Sequence, residues 1–297
     1  MKIGILGQRG GWQITDLQEA LAGRGLDAPC FPITQLTARL AGRPWLTAAR
    51  QKEEYLDFQP GVPLESYDIL FVRTVPGGSL EQVIFRVDLL HRLENAGVRV
   101  VNSPTTLERT VNKYYTSSLL EDAGLPTPRT IVTEQFNEAM TAFEELGGDV
   151  VLKPLFGSEG RGITRISDVD TAYRVFRALE LGRYVYYLQE YIEHKCQDIR
   201  VFVIGSEVVA AMIRQGNGWK TNVAQGAKAT RLEPDATLRH LSLQAAQLVA
   251  ADYAGVDILP LENGGYTIIE VNGIPAWRGL QAATGVDVVG RLLDYIL

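Results

Sequence analysis

The chain has 297 residues, 46% of them apolar and 22% charged, with a formal net charge of −6, enough to bury a sizeable core divided over two or three subdomains. A mildly acidic balance without a basic tail argues against nonspecific nucleic-acid binding, although a local basic cleft for phosphates stays compatible with it. No apolar run approaches membrane length, which predicts a cytoplasmic protein, and Cys30, Cys196, His91, His194 and His240 show no zinc-like spacing.

In chain order, KIGILG, a Gly-rich bend and the amphipathic ITDLQEALAGRGL read as strand, turn and helix, the start of a doubly wound sheet. The loop glycines Gly7, Gly10 and Gly11 do not spell GxGxxG, so the dinucleotide fingerprint is missing from a Rossmann-like opening. Tight turns explain these glycines as well as an anion does. DILFVR, SLEQVIFRVDLLHRLENAG and VRVVN form a second strand–helix–strand unit, and the first domain closes at Ser103-Pro104. Arg73 ends DILFVR, where open α/β sheets present ligand groups to carboxylates or phosphates; a surface ion pair is the alternative.

NSPTTLERTVNKYYTSSLLEDAGLPTPRT reads as a helix that carries Lys113 and ends at Gly124, with Pro126 and Pro128 forcing an extended exit. The strand VVLKP then sets Lys153 among apolar neighbours, where an ammonium is costly without an anionic partner. FGSEGRGI follows, and its Gly157, Gly160 and Gly162 can turn backbone amides toward phosphate oxygens. The lysine precedes the glycines, so this is no Walker loop, and a plain hairpin turn is the alternative.

Near the end, Asp257 in GVDILPL and Glu270 with Asn272 in YTIIEVNG lie on two predicted strands joined at Asn263-Gly264-Gly265. Pairing of these strands brings Asp257 to Glu270, while Glu270 and Asn272, two apart, leave their strand on one face. Two carboxylates and an amide oxygen suit Mg²⁺ or Mn²⁺, which accept phosphate oxygens as further ligands, so a nucleotide is the expected partner. A turn cap and a solvated strand residue are the alternative.

The ordered series NSPTTLERTVNKYYTSSLLEDAGLPTP, VVLKPLFGSEGRGI, LQEYI, DIRVFVIGSEVVAAMIR, NVAQGAKA, AGVDILPL and IIEVNGIPAWRGLQAATGVDVV resembles the ATP-grasp superfamily. It is most similar to the branch of ribosomal-protein S6 modification-type, RimK-like, glutamate ligases. The resemblance implies an α/β chain of the α+β ATP-grasp kind. A Rossmann-like domain over 1–104 precedes a central subdomain over 105–190 and a C-terminal subdomain with the metal site over 191–297, the last two sandwiching ATP. It puts Lys113, Lys153 and the glycine loop on the phosphates, and Gln189 and Glu190 near the adenine, whose edge the backbone of Tyr191 and Ile192 reads. Asp198 is implied at the ribose, Arg200 and Arg214 at the phosphate charge and the acyl phosphate, and Asn222 near the transferred phosphate. Asp257, Glu270 and Asn272 are implied to hold two Mg²⁺ or Mn²⁺ ions.

The implied reaction turns a carboxylate into an acyl phosphate with ATP, then lets an amine, preferably L-glutamate, displace phosphate to form an amide; no enzyme nucleophile is needed. This branch more often carries a serine-rich NSSPG where this chain has VNGIPAWRGLQ. Trp277 beside Arg278 therefore reads as an aromatic face with a cation for a flat, carboxylated acceptor. That is similar to the related ligases that add glutamate to tetrahydromethanopterin or coenzyme F420. A tryptophan packed beneath a loop is the alternative. Rival readings are the same chemistry on a peptide tail or an amino-group carrier protein, and a nucleotide-binding regulatory protein without turnover. The fold is compatible with a homo-oligomer.

Overall fold

The structure, a computed structural model, describes residues 1–48, 61–157, 160–221, 226–262 and 264–297. Its elements begin with β1 (Ile3–Leu6), α1 (Trp12–Ala22), β2 (Cys30–Phe31), β3 (Leu36–Ala38), β4 (Leu46–Ala48), β5 (Val62–Pro63), β6 (Ile69–Val72), α2 (Leu80–Asn95), β7 (Arg99–Val101) and α3 (Pro104–Val111). They continue with α4 (Lys113–Asp122), β8 (Thr130–Thr133), α5 (Phe136–Glu145), β9 (Val150–Lys153), β10 (Thr164–Ile166), α6 (Val169–Leu181), β11 (Tyr186–Glu190) and β12 (Gln197–Ile204). The last are β13 (Glu207–Gln215), β14 (Lys228–Leu232), α7 (Ala236–Leu248), β15 (Tyr253–Pro260), β16 (Tyr266–Asn272), α8 (Arg278–Thr284) and α9 (Val288–Ile296). No helix among the described residues is long and apolar enough to cross a membrane.

The chain forms two compact units. The first comprises Met1–Glu108, Ala251–Tyr253 and Asp287–Leu297, and the second Arg109–Ala250 and Ala254–Val286. In the first, the sheet order is β2-β1-β6-β7 and every pairing is parallel. IGIL and ILFV are buried throughout, as a parallel sheet covered on both faces requires. Gly7 ends β1 because a Cβ there would stand 2.6 Å from Ile14 Cδ1; close seating of α1, not a ligand, accounts for it. Helix α9 packs on α1, so the end of the chain belongs to the first unit, whereas the sequence reading keeps it with the segment that starts at 191.

The second unit holds two sheets. β10-β9-β11-β8 is antiparallel, and α5 and α6 cover it through Phe136, Phe143 and Phe176, which share one core with Tyr186 of β11. β14-β13-β12-β15-β16 is the second, with α7 and α8 packed on it.

The stretch read as one helix up to Gly124 is broken at Asn112. This residue leaves the helical region at φ −92° and ψ 100°, and its side chain accepts from Tyr115 N. The break makes Lys113 the first residue of α4. Asn112→Ala is expected to cost about 1 kcal/mol, the usual worth of an N-cap, seen as a lower urea midpoint with an unchanged slope.

Candidate active site

β15 and β16 are antiparallel neighbours in which Asp257 pairs with Glu270 and Gly255 with Asn272. The register shifts between Asp257 and Ile258 and leaves Ile269 as the extra residue of a bulge, a device that re-aims side chains. Asp257 is only 3% exposed. Arg200 donates to it twice, Nε to Oδ1 at 2.7 Å and Nη2 to Oδ2 at 2.6 Å. Arg214 Nη2 lies 3.1 Å from the same Oδ1.

Across β12 and β13, Asp198 faces Arg214 in register. Arg214 grips it with Nε on Oδ1 at 2.6 Å and Nη2 on Oδ2 at 2.5 Å, and Thr221 Oγ1 donates to that Oδ2 at 2.6 Å. Two guanidiniums and two carboxylates thus neutralise each other in a buried chain, the only inexpensive way to bury four charges. Burial alone would push Asp257 up, but Arg200 and Arg214 outweigh it and hold its carboxyl below the usual range. Burial likewise opposes the charge of Arg214, yet Asp257 and Asp198 keep it firmly protonated.

Lys153 is the last residue of β9. Its Nζ donates to Gln189 Oε1 at 2.6 Å, while Gln189 Nε2 donates to Thr130 Oγ1 at 3.0 Å. Reversing this amide would set an NH₂ against an ammonium, so its orientation is fixed. Burial pushes Lys153 down to about 8, with Glu270 pulling the other way. Lys113 is lowered too, by burial first and against the same opposing Glu270; its Nζ donates to the Gly157 carbonyl at 2.7 Å. A lysine opening a helix adds a cation to the positive end of the dipole, an arrangement that favours an anionic ligand.

These groups line one cleft that is partly open to solvent. Lys113, Lys153, Gly160, Gln189, Glu190, Tyr191, Ile192, Asp198, Arg214, Asp257 and Glu270 all face it, and all lie in the second unit. Arg200 and Asn272 join through Asp257, since Asn272 Nδ2 is 3.5 Å from its Oδ2.

Several expected roles change in the structure. The Glu190 carboxylate accepts from Arg129 N and Nε at 2.9 and 2.8 Å, partners that hold it at the cleft edge. Gln189 supports Lys153, and Asp198 already receives three hydrogen bonds, leaving little for a ribose. Arg73 is buried in the first unit and donates to Tyr253 OH at 2.5 Å and Gln13 Oε1 at 3.0 Å; the idea that it offers its fork to a ligand is corrected by that burial. Trp277 is 0% exposed and therefore presents no aromatic face to an acceptor, while Arg278 beside it is exposed at the start of α8. Gly157, Gly160 and Gly162 adopt φ of 136°, 70° and 75°, which a side chain resists. Asn222, and with it the expected role near the transferred phosphate, lies outside the described residues.

Thr221, His194, Trp219 and Lys220 also line the cleft and were not read from the sequence. Thr221 stands beside Asn222 in TNVAQG, the one signal that pointed nearby. Nothing in the sequence pattern separates His194 or Lys220 from surface residues.

Among the described residues no group of three His, Cys, Asp or Glu side chains could hold an ion. A divalent cation here would rest on Asp257 and Glu270 with an amide oxygen from Asn272, reached by a half-turn of that amide. This is a hard-oxygen set that leaves positions for phosphate and water, as Mg²⁺ prefers. Asp257 Oδ1 already accepts from both arginines, so Oδ2 is the oxygen with a lone pair to give. The donor set fits such an ion.

Known proteins resemble the chain in sequence and in fold. The RimK-like ATP-grasp domain profile matches residues 110–296. The tetrahydromethanopterin:alpha-L-glutamate ligase of Methanocaldococcus jannaschii is 36% identical over 241 residues, covering 79% of this chain and 80% of its own length. The alpha-aminoadipate–LysW ligase LysX of Saccharolobus solfataricus is 34% identical over 207 residues, covering 68% of this chain and 75% of its own. In three dimensions the ATP-grasp ligase PsnB, solved with minimal precursor, Mg and ADP, superposes with a TM-score of 0.73 over 98% of this chain and 96% of its own at 22% identity, a likeness of fold.

Proposed function

Since the chain belongs to the RimK-like ATP-grasp family and is an ATP-dependent carbon–nitrogen ligase, we propose that it joins the amino group of L-glutamate to a carboxylate of a small, pterin-like cofactor. The observation that carries this reading is the meeting of Lys113, Lys153, Arg214, Asp257 and Glu270 on one cleft. Cations that can bind a triphosphate stand opposite carboxylates that can hold a divalent ion. The relative named for tetrahydromethanopterin supports a cofactor acceptor.

A carboxylate resists attack by an amine because its leaving group would be oxide. In the proposed sequence one acceptor oxygen attacks the γ-phosphorus of ATP, the bond to ADP breaks, and an acyl phosphate forms. The glutamate amine, having shed its proton, adds to the acyl carbon, and the tetrahedral oxyanion collapses to the amide as phosphate leaves with the acceptor's oxygen. Lys113 and Lys153 bind the phosphates, and backbone groups of Tyr191 and Ile192 read the adenine edge. Arg214, held rigid by two carboxylates, stabilises charge on the transferring group without reorganising. Asp257, Glu270 and Asn272 would hold the divalent cations, two in this reading, which supply charge neutralisation between the phosphates. The cleft walls Ile163, Leu259 and Ile269 keep water from the acyl phosphate.

The test is ADP release with Mg-ATP and L-glutamate across pterin, deazaflavin, peptide and carrier-protein acceptors, with mass spectrometry of products. A glutamate residue gained by a pterin supports the reading. Gain only by the carrier protein favours the second reading, which the LysW ligase relative supports. ATP binding without product in any arm contradicts both.

Lys153 supplies a pH test of its own. The ammonium binds phosphate, so the KM for ATP should rise as pH climbs through about 8. Stability should move the other way. The folded-state value is depressed, so between about 8 and 10.5 the unfolded chain holds more protons and the fold gains stability with pH. Both trends are measured as wild type minus Lys153→Met, in KM and in urea midpoint; a flat difference across that window contradicts the assignment.

A further inference from the structure

Thr221 precedes Asn222, and its hydroxyl is buried against Asp198, donating to Oδ2 at 2.6 Å. The same carboxylate receives Arg214 Nε at 2.6 Å on Oδ1 and Nη2 at 2.5 Å on Oδ2. Arg214 is therefore clamped between Asp198 on one side and Asp257, 3.1 Å from Nη2, on the other. A fork held by a bidentate carboxylate takes its plane from that carboxylate. The fork holds the Asp198 carboxylate from one side only, and the Thr221 hydroxyl adds a third bond on Oδ2 from outside the fork, so the pair is tied to the second unit by a group other than the arginine itself. Valine has the shape of threonine without the donor, so removing the hydroxyl alone leaves the packing in place and a buried carboxylate one bond short.

We propose that Thr221 is a positioning residue for Arg214: its hydroxyl fixes the Asp198 carboxylate and, through it, the guanidinium that meets the transferring phosphoryl group. The inference rests on the ligase reading above and adds to it a residue of the cleft wall that acts through Asp198. Removing a group that orients a metal ligand costs about 10- to 100-fold in affinity or activity, and a group that orients a phosphate-binding arginine is expected to cost a similar amount. The loss should fall on the transferring group and not on ADP, because the clamp touches Arg214 and not the lysines.

The test is binding of Mg-ADP to the full chain with and without fluoroaluminate, a planar stand-in for the phosphoryl group in flight. In the wild type fluoroaluminate should tighten ADP by at least about tenfold. Thr221→Val should keep its Kd for Mg-ADP within about threefold while losing about tenfold of the tightening. Thr221→Ser, which restores the hydroxyl, should recover most of it. Full tightening in Thr221→Val overturns the proposal alone, as does loss of ADP binding together with the melting transition in that variant, since the hydroxyl would then support the whole fold. A wild type that binds Mg-ADP without tightening overturns it too, because Arg214 then meets no phosphoryl group. A wild type that does not bind Mg-ADP overturns the reading of the cleft and this proposal with it.

Discussion

Glu270→Gln should lower amine-dependent ADP release by about 10³-fold or more, the scale of removing a charge that stabilises a transition state. Two physical effects combine. The amide keeps an oxygen but loses the charge that holds a divalent cation, and it removes the anion that offsets the burial of Lys113 and Lys153. Lys153, already lowered to about 8 by burial, should fall further, so nucleotide affinity in the variant should weaken at a lower pH than in the wild type. Steady-state rates and Mg-ATP titrations at several pH values separate the two effects. A variant that turns over at the wild-type rate contradicts the assignment of Glu270 to the metal. Stability at neutral pH should fall modestly, because Glu270 is half-buried and its charge offsets the burial of Lys113 and Lys153, and a lysine depressed further in the folded state costs stability below its unfolded value.

Arg214→Met should be the more damaging change to the fold. It leaves Asp198 without its cation and Asp257 with one of two, both only 3% exposed, and breaking a buried pair from one side costs about 3–5 kcal/mol. The rate should fall by about 10²- to 10³-fold as well, the worth of one preorganised donor at a developing charge. Adding Asp198→Asn to Arg214→Met removes the orphaned charge. The double variant should regain part of the lost stability and none of the lost rate. Urea denaturation and single-turnover kinetics of the single and double variants form a cycle that isolates the pair. Recovery of rate along with stability would show that Arg214 only balances charge.

Much of this site is legible in the sequence because strand pairing is a short-range rule. Asp257, Glu270 and Asn272 sit on two strands joined by a turn, and a period of two is enough to put them on one face. The Ile269 bulge was not legible, since a one-residue slip depends on packing on both sides of the sheet. Lys153 announced itself as a cation inside VVL, and the structure explains it with the Gln189 amide, a partner 36 positions away. The α3–α4 break escaped because helical periodicity runs through Asn112 nearly undisturbed, and only the cap geometry reveals that a second helix starts there. The side-chain roles of Glu190, Asp198 and Arg73 escaped for another reason. Glu190 and Arg73 are engaged by residues brought up by tertiary structure, Arg129 and Tyr253, and sequence spacing holds no record of those partners; Asp198 meets Arg214 across the β12–β13 hairpin, a pairing whose register the alternation alone does not fix. Trp277 shows the same limit for apolar groups, because an aromatic side chain next to an arginine reads alike whether it lines a cleft or fills a core.

The most direct measurement follows an oxygen atom. With the reactive acceptor's carboxylate labelled with ¹⁸O and turnover run on Mg-ATP and L-glutamate, the released phosphate should carry one labelled oxygen and the amide should keep the other, because the acyl–oxygen bond is the one that breaks when the amine displaces phosphate. Unlabelled phosphate, with both labelled oxygens still on the acceptor, would contradict an acyl-phosphate ligase at this cleft.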